Sequence, residues 1–117
     1  MAYFLDPVPA LDEVVARLQG VDIEAAVNTA HVNLPGAWVR WAGYDSLVLS
    51  GEEFVRVEVV LLVGAMPLDE AYRQLVALAE EAVEELGYPD GPVRQQATLF
   101  ANDPVALPSL VLPYNVA

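Results

Sequence analysis

Residues 54–63 read Phe-Val-Arg-Val-Glu-Val-Val-Leu-Leu-Val, and this run constrains the chain more than any other. Val55, Val57, Val59, Leu61 and Val63 recur at every second position, which sets them on one face of a β-strand. Phe54, Arg56, Glu58, Val60 and Leu62 share the other face, which is half polar, with Arg56 and Glu58 as neighbours. At ~3.3 Å per residue the strand is ~33 Å long, which outruns the core of a chain whose expected radius of gyration is ~13 Å. Pro67 then opens a helical pattern. Leu68, Tyr72, Leu75, Ala79, Ala82 and Leu86 form an apolar stripe, opposed by Arg73, Gln74, Glu80, Glu81, Glu84 and Glu85. Asp69 and Glu70 suit the first turn, and Gly87 and Pro89 end the helix.

The other elements follow from similar signals. Leu11, Val14, Val15 and Leu18 predict a short amphipathic helix closed by Gly20. Residues 21–36 read mainly as loop, with a turn of helix possible over Asp22–Val27. Ala37–Ala42 reads as a strand, Gly43–Asp45 as a turn, Leu47–Leu49 as a second short strand and Ser50–Gly51 as another turn. Tyr88–Pro92 is a proline- and glycine-rich turn, Val93–Ala101 a strand, Asn102–Pro104 a turn and Leu107–Val116 the last strand. Pro108 and Pro113 lack ladder donors, which predicts an edge or bulged position for that strand. The sum is a single α+β domain over residues 1–117. Its mostly antiparallel sheet has four or five strands, with an N-terminal helix and one long helix packed on it.

Composition narrows the function. Seventeen acids face five bases, all arginine, for a net charge of −12. A chain of this charge cannot build the basic patch that sequence-independent nucleic-acid binding requires, and anionic membranes disfavour it too. Beside DNA it would act as a repelling wall. The residues from Met1 to Asp6 hold no basic region, which predicts no secretory signal, and the run from Val59 to Met66 is too short to span a bilayer. The expectation is a soluble protein made in a cytoplasm. The apolar fraction is 56%, more than a small domain readily hides, so some apolar surface is expected to meet a partner.

Catalytic signals are sparse. The chain has no cysteine, and its one histidine, His31, sits in a predicted loop. Ser46, Ser50 and Ser109 lack a glycine-flanked elbow. No metal-ligand spacing and no glycine-rich phosphate loop is present. The expectation is a protein that is no enzyme and takes no metal or cofactor. Glu80, Glu81, Glu84 and Glu85 are the densest carboxylates, and a solvated helix face is their ordinary meaning. Yet they form like-charge pairs four residues apart and crowd a helix C-terminus, where the dipole prefers cations. Such a conflict marks a candidate negative surface, facing DNA or a partner's arginines. Trp38, Arg40 and Trp41 form the second cluster, of types enriched in interface hot spots. Strand periodicity turns the two tryptophans to opposite faces. The candidate interface is Trp38, Arg40, Trp41, Tyr44, Asp45, Arg56 and Glu58.

The order and text of the chain resemble a known family. An N-terminal amphipathic helix leads to Pro35-Gly36-Ala37-Trp38-Val39-Arg40. The valine-rich strand Val55–Val63 then runs into Pro67-Leu68-Asp69-Glu70-Ala71 and a long helix, and a strand with Leu110-Val111-Leu112 closes the chain. This pattern resembles the tail terminator, or tail-completion, proteins of long-tailed phages, especially those of GC-rich actinobacterial hosts. The resemblance implies a structural protein of the virion neck and tail, without catalysis. It implies a ring, usually of six subunits, on the head-proximal end of the tail tube, touching the tube protein and the head–tail connector. DNA would pass through without specific binding, and residues 43–51 would reach the tube. Two other classes stay open on the residues themselves. One is another neck component, such as a head-closure or connector protein. The other is an acidic immunity- or antitoxin-like module that neutralises a basic partner. A small enzyme using Glu or Asp ranks last.

Overall fold

The computed structural model of the chain describes residues 5–47, 52–99 and 106–116. In order it contains α1 (Val8–Gln19), β1 (Glu24–Ala26), a one-turn 3-10 helix (Thr29–His31), β2 (Gly36–Leu47), β3 (Glu52–Leu62), α2 (Leu68–Leu86), β4 (Arg94–Thr98) and β5 (Leu107–Val116). The fold is α+β. The five strands form one mixed sheet in the order β1-β2-β3-β5-β4, antiparallel except for the β1–β2 pair.

Central strand β3 does what its alternation dictates. Val55, Val57, Val59 and Leu61 face both helices, where they meet Val39, Leu112, Leu18 and Leu75 in the main core. Burying each such aliphatic side chain stabilises the fold by ~1.5–3 kcal/mol. Val60 and Leu62 on the far face are also fully buried, against Val111, Leu107 and Val32. Their cover comes from the crossover between the parallel strands β1 and β2, which brings Val32 and Leu34 onto that face. A half-polar far face was expected, and the crossover makes its upper end a second small core.

Several sequence expectations change. Residues 24–26, read as a possible turn of helix, pair with Gly36–Trp38 as β1. Gly36 permits this approach, because a Cβ there would sit 2.8 Å from the Glu24 carbonyl oxygen. The expected turn at Gly43–Asp45 is a bulge within a continuous β2, where register shifts between Trp41 and Tyr44 and Gly43 takes φ +104°. Residue 47 belongs to β2, and the rest of the expected strand at 47–49, with the turn at 50–51, lies outside the described residues. Strand β4 is shorter than the expected 93–101, of which residues 100–101 lie outside the described residues. On α2 the buried residues are Ala71, Leu75 and Ala82, while Leu68 and Tyr72 of the expected stripe are exposed. Leu75, Ala79, Ala82 and Leu86 of the stripe pack on the main core together with Ala71, Leu78 and Val83, so the face turned to the core is rotated away from Leu68 and Tyr72.

Strand β5 is interior, not an edge. Its prolines sit where no ladder donor is needed. The Pro113 carbonyl accepts from the Asp90 N–H at 2.8 Å, so the backbone polar groups of residue 113 face the β4 side, beyond the β4 ladder, which begins at Arg94–Val111. Residue 108 has the opposite parity and faces the β3 side, beyond the last pair, Leu62–Ser109.

Candidate functional site

The predicted interface residues fall on both faces of β2 and β3. Trp38, Arg40, Asp45, Arg56 and Glu58 lie on the far face. Trp41 and Tyr44 lie on the helix side, opposite Val57 and Val55. Glu58 is the hub of the far face. One of its oxygens takes Arg40 at 2.7 Å and the other takes Arg94 at 2.6 Å. Its side chain is only 12% exposed, so this carboxylate is shared by two guanidiniums in a partly dry place. Arg40 also stands 5.2 Å from the centroid of the Trp38 ring, a cation–π contact. The Trp38 indole N–H donates to the Val27 carbonyl at 3.0 Å, which ties the crossover to β2. Lower on the same face, Arg56 lies 3.9 Å from Asp45, which also accepts from the Asn115 side-chain amide at 3.0 Å.

Beyond the pair Val55–Val116, β3 has β2 as its sole strand neighbour among the described residues. The sheet therefore narrows to a two-stranded arm. At its base Trp41 is 48% exposed, its indole N–H donates to the Gly43 carbonyl at 2.8 Å, and its ring meets Tyr44 edge-on at 5.4 Å. The Tyr44 hydroxyl donates to the Leu5 carbonyl. This bulge keeps one large aromatic outside the core while the other closes it.

On α2, Glu80, Glu81 and Glu84 are exposed, and among the described residues no arginine pairs with them. Glu85 differs. Arg17 of α1 reaches its carboxylate at 3.4 Å and donates to its backbone carbonyl. The C-terminus of α2 holds no base of its own, and Arg17 supplies the cation from the neighbouring helix. Close by, the Tyr114 hydroxyl donates to the Gly87 carbonyl at 2.9 Å. Burial pushes that hydroxyl up to about 12 from the ordinary 10.0, with Asp90 adding to the rise and Arg17 opposing it.

Sequence reasoning missed Arg94. It pairs with Glu58 across β5, a strand that lies between them, and the sheet order alone puts them together. His31 lies exposed in the 3-10 turn. Among the described residues no group of three or more His, Asp or Glu is placed to hold a metal ion, and no helix is long and apolar enough to cross a membrane. In comparison with known proteins, no family model, curated protein or solved structure matches this chain.

Proposed function

We propose that this chain is a structural virion protein that caps the head-proximal end of a phage tail tube as a ring and joins it to the head connector. The observation that carries the reading is the two-stranded arm. Among the described residues of a molecule of 49 × 26 × 25 Å, β2 and β3 stay paired over 45–47 and 52–54 past the last β3–β5 pair, and Trp41 is exposed beside the arm's base. An arm of this kind reaches a neighbouring subunit or a tube, and the contact would be heterologous, as a ring requires. The order of helix, hairpin, long helix and two strands agrees with the family resemblance. In this reading the ring has six subunits, catalysis and cofactors play no part, and the net charge of −12 discourages DNA from sticking as it passes.

Electron microscopy of an infection lacking the gene tests the proposal. The expected result is filled heads without tails, beside tubes of irregular length. Tails of normal length joined to heads would sink it.

A further inference from the structure

Helix α2 packs on β3 and β5 and leaves the helix-side face of β4 open. Along that margin runs a groove in two connected parts that share Val76 and Leu110. The larger part is about 500 Å³ and is walled by Val76, Ala79, Val83, Tyr88, Val93 and Leu110. These walls are unusually open, with Val76 at 52%, Val93 at 49% and Tyr88 at 89% exposure. Glu80 and Glu84 stand on its rim. Beside the groove, β4 is an edge strand, and among the described residues nothing pairs with its outer side.

The dimensions match. Five extended residues span ~17 Å, and the stretch of α2 from Tyr72 to Val83 spans the same ~17 Å. A sixth strand added to β4 would turn alternate side chains under α2, filling the groove with apolar groups. Glu80 and Glu84, one helical turn apart, both line the part of the groove near the C-terminus of α2, so a residue at that end of the strand would meet them. The added strand therefore has alternating apolar residues with a cation at that end, and a probe with lysine at both ends serves either strand direction. A second copy of this chain is a poor source. All five bases are arginines, and each has a carboxylate of its own chain within 4.0 Å.

We propose, resting on the reading of the chain as an assembly part, that the α2–β4 groove receives an extended segment of a different protein, which adds to the β4 edge, buries apolar residues under Val76 and Tyr88, and offers lysine or arginine to Glu80 and Glu84. Main-chain hydrogen bonds give such a site affinity, and the groove and its acidic rim give it specificity.

The test needs neither a tube nor a virion, so its failure leaves the tail-end reading to the micrographs. The probe is the capped peptide Lys-Thr-Val-Thr-Val-Thr-Lys, titrated into the isotope-labelled full chain and followed by NMR. Two control peptides replace both lysines by glutamate, or the central threonine by proline. The expected result is saturable shifts of the amides of residues 94–98 and the methyls of Val76, Val93 and Leu110. The glutamate and proline peptides should bind at least about tenfold more weakly. The Glu80→Lys/Glu84→Lys variant, its amide spectrum reporting that it folds, should lose the lysine peptide and gain the glutamate one. Shifts spread over all acidic surfaces, or equal binding of the proline peptide, would overturn the proposal. So would no binding at all, or groove signals that change on dilution without peptide, which would make a second copy the occupant.

Discussion

From residue 55 to residue 61 the helix face of β3 is aliphatic at every position, and α1 and α2 cover it. On its far face the same strand passes from Arg56 through Glu58 to Val60 and Leu62, so the chemistry changes along its length. The cause is what lies above each position. The crossover covers Val60 and Leu62 with Val32, and those positions are apolar. No described helix covers the middle of the far face, and there a shared carboxylate holds two arginines from strands on either side. One face stabilises by burial and the other fixes neighbours by charge.

The largest test of that difference is Leu61→Ala, which opens a void under the helices and should lower stability by ~2–5 kcal/mol. Urea unfolding midpoints measure it. Glu58→Ala comes next. It removes the acceptor for two guanidiniums and should cost ~2 kcal/mol, within the range for hydrogen bonds to charged groups. If Glu58→Ala cost as much as Leu61→Ala, the far face would be a second structural core and not a charged surface. If it cost nothing, the triad would be an ordinary exposed ion pair.

Much of the contrast between faces was legible in residues 54–63, because a period of two assigns sides whatever the fold. The α2 boundaries were legible too, from Pro67, Asp69 and Gly87. Three features were hidden, each for a physical reason. Strand β1 is three residues long and takes its identity from a parallel partner ten or more positions away, so local propensity carries no sign of it. The interior place of β5 was masked by two prolines, because a proline's cost depends on which side its missing donor faces. Arg94 joined the site through sheet order, which no local pattern encodes. The seven candidate interface residues divide between two faces: a period of two already set Trp38 and Trp41 apart, but the sides of Tyr44 and Asp45 were hidden, since the bulge at Trp41–Tyr44 could not be told from a turn.

Tyr114→Phe gives a smaller effect, and it sharpens the account of how the helix face is closed. Loss of the hydrogen bond to Gly87 should cost ~1 kcal/mol at neutral pH. In the native chain the raised hydroxyl means that the fold favours the neutral phenol. Its contribution is fully present below pH 10.0 and is lost as the pH climbs to about 12. Stability measured across that window should fall less steeply in the variant, and equal slopes would refute the linkage. The smallest effect is expected for Arg17→Gln. It removes an exposed pair that caps the acidic end of α2, and should cost at most ~1 kcal/mol, declining with added salt.

A cryo-electron reconstruction of the head–tail junction in intact virions is the most direct measurement of the proposed role. The account predicts a closed ring of this fold on the last layer of the tail tube, with the β2–β3 arms touching tube or neighbouring subunits. A junction whose density excludes this fold, or the fold found at another place in the virion, would contradict it.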